Sequence, residues 1–379
     1  MQSLKSNALE PTRSELAALS RGQAVVRVLP IYGLPILTLA LIVFFSLLLP
    51  DSFPTALNAR SILSDKSIIA LLSLGAMVPM IAGRIDLTIG FGIVMWHILA
   101  ISLQIKYGFP WPVAVLVVLA CSSLAGLING LLVEVAQIDS FIATLGTGTI
   151  LYALALWHTD GRQVMGVLPR GFLDINAMSI AGVPMPAIYV LVLAVVLWLV
   201  TERLPLGRHA YAIGANEKAA ALNGIPVRAY VIGVFVASGL ICGFTGVVLA
   251  SKLRIGQANV GLDYLLPALV GAFLGSTTIK PGRVNVWGTV VGVLILAVGI
   301  SGIQQLGGAF FVEPLFNGTT LVIAIALAGF AQRRRSVGAA TVAPPGGRRN
   351  VPSNMPPPNP PPLAGEGQGG GMHVPAALR

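Results

Sequence analysis

Ten long apolar segments recur along the chain and constrain its fold more than any other feature. A helix that crosses the hydrocarbon core of a bilayer needs about 20 apolar residues. A helix also satisfies its own backbone polar groups inside lipid. The pattern therefore predicts an all-α polytopic bundle of about ten, and at least eight, transmembrane helices. The segments are residues 28–49, 67–82, 87–105, 111–136, 141–157, 187–201, 229–251, 262–276, 286–306 and 314–331.

Three of these segments, residues 67–82, 187–201 and 262–276, hold only 15 or 16 residues. At 1.5 Å of rise per residue, such a helix covers about 23 Å of a hydrocarbon core about 30 Å thick. We expect each to extend into its flanking residues, or one of them to be re-entrant.

The composition excludes a soluble domain of this size. Only 10% of the residues are charged and 55% are hydrophobic, whereas about 25% are charged in an ordinary soluble protein. The net charge of +10 does not indicate nucleic acid, because the Lys and Arg residues lie between apolar segments without interleaved aromatics. Cys121 and Cys242 lie inside apolar segments, with no motif for a metal site. The lipid bilayer is the predicted surrounding.

The distribution of positive charge predicts the orientation, because cytoplasmic loops of membrane proteins are enriched in Lys and Arg. With both termini inside, fourteen Lys and Arg residues fall in inside segments and seven in outside segments. Residues 1–27 are then a cytoplasmic segment, residues 28–331 the transmembrane domain, and residues 203–228 a cytoplasmic loop within it. The Pro- and Gly-rich residues 332–379 predict a disordered cytoplasmic tail.

Arg84 and Asp86 are the only charged residues between positions 67 and 105. At a cytoplasmic turn, Gly83 can end one helix and Asp86 can cap the next, with Arg84 partly neutralising Asp86. Alternatively, the charged turn lines a translocation pathway, since ionisable groups at membrane depth often mark one. The sequence GRIDL at positions 83–87 is similar to GRVNV at 282–286, which suggests two related halves.

Besides the charged Asp86, three uncharged residues are candidates for lining the translocation pathway. Gly90 would permit close packing or bending just beyond the turn. Asn129 and Thr144 are polar groups in the fourth and fifth segments, as is Glu134 beside them. A hydrogen bond between helices is the alternative role for each of these polar side chains.

Four G-x-x-x-G motifs lie in four different apolar segments and predict close helix packing, since small residues let helix backbones approach in lipid. The motifs are Gly126/Gly130, Gly239/Gly243, Gly271/Gly275 and Gly288/Gly292.

The loop at 203–228 contains a complete short helix by local rules. Asn216 is a favourable N-cap, Glu217 suits the positive end of the helix dipole, Gly224 fits the position after the helix, and Pro226 prevents continuation. A helix this short needs support, because nucleation is costly. It either packs on the protein's own loops or docks on a partner. Its residues are Asn216, Glu217, Lys218, Ala219, Ala220, Leu222 and Gly224.

Four stretches occur in a fixed order: GRIDLTIG at 83–90, FIATLG at 141–146, GRHAYAIGANEKAAALNGI at 207–225, and VWGT at 286–289. Together they resemble the permease subunit of bacterial ABC importers of the ribose/xylose/galactose type, over about residues 30–330. Arg84 stands where that family usually has glycine. The LGSTTIKPGRVN stretch that ends at Asn285 also departs from the usual glycine-rich form.

The resemblance implies a multi-pass protein of the bacterial plasma (inner) membrane that imports a small polar solute, with a monosaccharide expected and amino acids or nucleosides as alternatives. It implies a homodimer or a pair with a sister permease, together with a periplasmic or extracellular solute-binding protein. It also implies a separate ABC ATPase subunit that uses the ATP, and no cofactor on this chain. By position, the helix at 216–224 is the ATPase-coupling helix.

Two other classes remain as alternatives. No G-x-x-x-x-G-K-[ST] phosphate loop occurs, so ATP hydrolysis is expected on another chain. An ion-coupled secondary transporter would carry acidic residues in mid-span, and Glu134 is the nearest candidate here. A membrane enzyme would need a catalytic set, but the four histidines are scattered and form no metal motif: His97, His158, His209 and His373.

Overall fold

The computed structural model of the chain describes residues 32–308 and 311–323. The segment predicted at 1–27 and the tail predicted at 332–379 lie outside the described residues. Within them the chain is helical apart from turns and one two-stranded hairpin, so the all-α class is confirmed. The helices run as follows: α1 Tyr32–Leu48, α2 Ala56–Asp65, α3 Ser67–Ile81, α4 Thr88–Ile105, α5 Trp111–Glu134, α6 Ser140–Thr159, α7 Arg170–Ala177, α8 Met185–Trp198, α9 Pro205–Ala215, α10 Glu217–Leu222, α11 Val227–Leu253, α12 Leu265–Leu274 and α13 Val286–Gln305.

Shorter elements complete the described part of the chain. Residues 312–323 form a further helical segment, α14. The strands β1 (Ser179–Ile180) and β2 (Val183–Pro184) pair antiparallel between α7 and α8. A π-helical turn, Leu199–Arg203, follows α8, and a 3₁₀ turn, Leu262–Tyr264, precedes α12.

Seven helices of the described residues are long and apolar enough to cross a membrane. Two of the three short segments are extended by their flanks, as expected. α2 and α3 together span 26 residues from Ala56 to Ile81, and α8 continues through the π turn to give 19 residues from Met185 to Arg203. The third, Leu262–Leu274, stays short, as does Tyr32–Leu48. The number of ten spans therefore remains a prediction.

α3, α4 and α11 form the centre of the bundle. Every residue of α3 except Met80 is buried, which is expected of a helix that is apolar on all sides. α11 packs along α5, α4 and α3. The outer helices α5, α6 and α8 leave many apolar side chains exposed, among them Leu116, Ile142 and Leu191. These surfaces suit lipid or another apolar surface.

The first two glycine motifs meet at the contact between α5 and α11. A Cβ atom at Gly126 would come within 3.0 Å of the Phe235 carbonyl oxygen, and one at Gly239 would do the same at the Ser122 carbonyl oxygen. A Cβ atom at Gly130 would likewise come within 3.0 Å of Ile232, and one at Gly243 within 3.0 Å of Ser122. The two backbones therefore touch along this line.

The other two motifs meet where α12 contacts α13. A Cβ atom at Gly288 would lie 2.6 Å from the carbonyl oxygen of Gly275, and one at Gly292 would lie 2.7 Å from Leu274. Gly271 faces Ser73 of α3 at 2.6 Å by the same measure. α12 is thus held between α13 and α3 by contacts that only glycine permits.

The loops separate into two sets, one at each end of the bundle, and each set matches one predicted side. Segments predicted inside contact one another, as in the ion pairs Arg84–Glu217 and Lys280–Glu202. Segments predicted outside also contact one another. Lys66 pairs with Glu313 at 3.2 Å, and Val164 pairs through its backbone with Gly256. The contacts fit the predicted order of crossings, while the side that faces the cytoplasm remains a prediction.

Candidate functional site

The turn between α3 and α4 is built by local hydrogen bonds. Gly83 has a φ of +75°, a conformation that glycine adopts without strain. The Asp86 Oδ1 atom accepts a hydrogen bond from the Thr88 backbone N–H at 2.9 Å and another from the Thr88 hydroxyl. Its Oδ2 atom accepts one from the Ser238 hydroxyl at 2.7 Å. Asp86 therefore caps α4, as predicted, and also ties it to α11.

The predicted pairing of Arg84 with Asp86 is wrong. The Arg84 Nη2 atom donates instead to Glu134 Oε1 at 3.0 Å and to Glu217 Oε2 at 2.9 Å. Asp86 is only 1% exposed and has hydroxyl and N–H donors within the bundle. The longer Arg84 side chain reaches two other carboxylates at the end of the bundle, the buried Glu134 and the half-exposed Glu217.

The other pathway candidates lie in a buried polar network with Asp86. Asn129 donates from Nδ2 to the Thr88 hydroxyl oxygen at 3.0 Å and accepts at Oδ1 from the Thr147 hydroxyl at 2.6 Å. The Thr144 hydroxyl oxygen accepts from the Leu87 backbone N–H at 3.0 Å. These contacts favour the alternative role, hydrogen bonds between helices, while the pathway role remains a prediction.

Gly90 lies one turn further along α4, where the chain approaches the start of α12. A Cβ atom there would come within 3.0 Å of the Leu265 side chain. Gly90 therefore permits close packing, one of the two properties expected of it.

The short helix expected in the loop at 203–228 forms as its local sequence predicts. The Asn216 Oδ1 atom accepts from the Ala219 backbone N–H at 3.0 Å, and Gly224 has a φ of +79° just after the helix. Ala220 is the only residue of α10 that is buried. Leu222 is 89% exposed. α10 is therefore attached along one edge and presents its other faces outward.

A second turn, between α12 and α13, repeats the geometry of the first. Gly282 has a φ of +78°, and the Asn285 Oδ1 atom accepts from the Gly288 backbone N–H at 2.8 Å, which caps α13. Gly83 and Asp86 hold the corresponding places in GRIDL. The local match supports the suggested similarity of the two stretches. That the chain consists of two related halves remains a prediction.

α9 is tied to this second turn by Tyr211. The Tyr211 hydroxyl donates to the Val284 carbonyl oxygen at 2.7 Å. The Arg283 guanidinium carbon lies 3.4 Å from the centroid of the Tyr211 ring, a cation–π arrangement. Burial raises the pKa of Tyr211 to about 12. The hydroxyl consequently keeps its proton and remains a donor throughout the physiological pH range.

We expect Tyr211→Phe to destabilise the protein by about 1 kcal/mol, because the Val284 carbonyl loses its donor while the ring stays in place. For a protein of this size, this is roughly 1–2 °C in Tm, measured by thermal unfolding of the purified chain. Tyr107→Phe is the control, since Tyr107 is 58% exposed at the other end of the bundle. Equal shifts for the two variants would contradict the role of Tyr211.

Sequence reasoning missed α9. It also missed the ion pairs of Arg84 and the contact of Arg283 with the Tyr211 ring. α9 had a local signal in Pro205, which stands at the first helical position and favours a helix start. The partners of Arg84 had none, since Glu134 is 50 and Glu217 is 133 positions away. Among the described residues, no cluster of three or more His, Cys, Asp or Glu side chains could hold a metal ion.

The described residues form a polytopic helical bundle with capped turns at one end and an outward-facing short helix between two long apolar helices. Residues 58–328 match the family described as the permease component of the branched-chain amino acid transport system. The chain belongs to this family. It is a multi-pass protein of the inner membrane and a transport component, as predicted.

Curated relatives cover most of the chain. It is 32% identical over 294 residues to the ribose import permease protein of Bacillus subtilis. The aligned region covers 77% of this chain and 91% of that relative. The chain is 29% identical over 296 residues to the D-allose transport system permease protein of Escherichia coli, with 78% and 90% covered. It is 27% identical over 267 residues to an autoinducer 2 import system permease protein of the same species, with 69% and 81% covered. No solved structure gives a significant match.

Proposed function

We propose that this chain is the membrane-spanning permease of an ATP-driven importer whose solute is a monosaccharide or a molecule of similar size and polarity. The support is the set of relatives named for ribose, D-allose and autoinducer 2 import. An amino acid is the second candidate, because the family description names branched-chain amino acids. A separate ATPase hydrolyses the ATP, and a solute-binding protein delivers the solute.

We propose that α10 is the element that docks on the ATPase, and the exposure of Leu222 carries this proposal. Ala220 packs in a buried cluster with Ala82, Val133 and Phe235, which fixes one edge of the helix. Lys218 and Ala219 are exposed, and Glu217 is partly exposed beside its ion pair with Arg84. A leucine that is 89% exposed at the end of a fixed helix suits a pocket on a partner, as in helix-in-groove recognition.

A second permease, either another copy or a sister chain, is proposed to contact one of the apolar outer faces. α5, α6 and α8 each leave a broad apolar surface exposed. The opposite end of the bundle, where α7 and the β1–β2 hairpin lie, is then available to the solute-binding protein. Phe172 is fully buried and anchors α7 there.

Cross-linking from Leu222 tests the docking proposal directly. Cys121 and Cys242 are first replaced by alanine, and Leu222→Cys is labelled in native membranes with a benzophenone maleimide. We expect the captured chain to be an ATPase, identified by mass spectrometry from peptides with a G-x-x-x-x-G-K-[ST] motif.

The matched control is Val167→Cys, which is 99% exposed on a loop at the other end of the bundle. It should capture no ATPase. If the two positions capture the ATPase equally, or if the ATPase co-purifies and Leu222→Cys never captures it, α10 is not the docking element.

A further inference from the structure

α10 is held by two kinds of contact that differ in reach. Ala220 packs locally against the α9 end and neighbouring helices. Glu217, in contrast, reaches the α3–α4 turn through Arg84. Since a helix of six residues has little stability of its own, these contacts determine where it lies.

The Arg84 bridge joins two carboxylates of very different environment. The Glu134 side chain, at the end of α5, is 4% exposed, while the Glu217 side chain is 46% exposed. A single nitrogen, Nη2, serves both. Without Arg84, a buried carboxylate would lie unpaired and two like charges would face each other, which is unfavourable in a site with little water.

The second turn, between α12 and α13, also holds a helix of this segment, α9, through an arginine. Arg283 lies on the Tyr211 ring, and Tyr211 donates to the Val284 carbonyl oxygen. The two arginines occupy the same position in GRIDL and GRVNV, directly after a glycine of positive φ. Each turn ends in the residue that caps the next helix, Asp86 for α4 and Asn285 for α13.

The backbone of α9 also touches the first turn. A Cβ atom at Gly214 would come within 3.0 Å of the Ile81 carbonyl oxygen. The α9–α10 segment is therefore fastened at three points: to the end of α3 by Gly214, to the first turn by Glu217, and to the second turn by Tyr211.

We propose that Arg84 and Arg283 are the two arms of a clamp that positions α9–α10 and joins its displacement to the starts of α4 and α13. This proposal rests on the docking role of α10, because that role supplies the displacement. Arg84 and Arg283 are positioning residues. They act through the capped turns, and the Asp86 and Asn285 caps each lie two residues beyond the arginine.

Hydrogen exchange of the full chain in lipid nanodiscs tests the clamp without any ATPase. The backbone N–H groups of residues 219, 220 and 223–225 bond to acceptors within residues 216–221, as Ile225 does to the Ala220 carbonyl oxygen. Their exchange reports whether the helix stays in place. For Arg84→Gln we expect roughly threefold faster exchange at 216–225, the size of effect expected for a partly exposed ion pair. Exchange across α5 and α11 should not change.

Two variants separate positioning from a general structural defect. Arg84→Lys keeps the positive charge and should exchange close to the wild-type rate at α10. Arg84→Gln combined with Glu134→Gln removes the buried charge and the repulsion, so it should exchange more slowly than Arg84→Gln alone. Arg283→Gln should accelerate exchange in α9 rather than α10.

Arg228→Gln is the matched control, since Arg228 is an exposed arginine on the same cytoplasmic segment and has no place in the clamp. If Arg84→Gln exchanges like Arg228→Gln, or if the double variant is faster than Arg84→Gln, the clamp proposal is overturned. Capture of the ATPase by Leu222→Cys is a separate measurement in the wild-type background. Its failure would overturn the docking role and with it the source of the displacement, whereas the positioning of α9–α10 by the two arginines is decided by the exchange rates alone.

Discussion

Gly239→Ala should unfold the permease at a temperature about 4 °C lower than the wild type, an effect of about 3 kcal/mol. The added methyl would overlap the carbonyl oxygen of Ser122 on α5. Backbone atoms cannot rotate away as a side chain can, so α11 would have to move outward. Contacts on both sides, including Gly126 opposite, would open together.

Gly233→Ala on the same helix is the control. Gly233 is exposed, and no atom lies within 4 Å of the position that an added Cβ atom would take. Alanine favours a helix over glycine by about 1 kcal/mol, so this variant should be neutral or slightly more stable. Thermal unfolding of both purified chains in the same detergent measures the difference. Similar unfolding temperatures would show that the α5–α11 contact tolerates a methyl group and is not the tight contact described above.

Span positions could be predicted because they depend on local hydropathy. The segment expected at 111–136 is the helix Trp111–Glu134, and the one expected at 286–306 is Val286–Gln305. α2 could not be found in this way. Asn58, Arg60 and Asp65 make it polar, although Thr55 caps it by accepting from the Asn58 backbone N–H.

In the candidate site, too, the contacts between residues close in sequence could be predicted and those between distant residues could not. The caps at Asp86 and Asn216 could be predicted, since a cap joins residues two or three positions apart. The prediction of the partner of Arg84 was wrong because the true partners are far away in sequence. Asp86 was the nearest carboxylate in sequence, whereas the packing of α3, α5 and α10 brings Glu134 and Glu217 closer in space.

Asn216→Pro should abolish most transport while the protein still inserts. The Asn216 backbone N–H donates to the Ala212 carbonyl oxygen at 3.0 Å, and its side chain caps α10. Proline removes both hydrogen bonds. Its ring also requires a φ near −65°, whereas Asn216 has a φ of −161°. The corner between α9 and α10 would therefore be rebuilt, and Leu222 would leave its present position.

We expect uptake of labelled ribose, the first solute to test, to fall at least about tenfold, the factor for a loss of about 1.4 kcal/mol in coupling. Asn216→Ser is the matched control, because serine is an equally good N-cap and imposes no φ. Amounts of each variant in the membrane are compared by immunoblot. If the wild type takes up no ribose, capture of the ATPase by Leu222→Cys replaces uptake as the readout. If Asn216→Pro gives wild-type values of uptake or of capture, α10 need not hold its present position. It would then not be the link between ATP hydrolysis and the membrane helices.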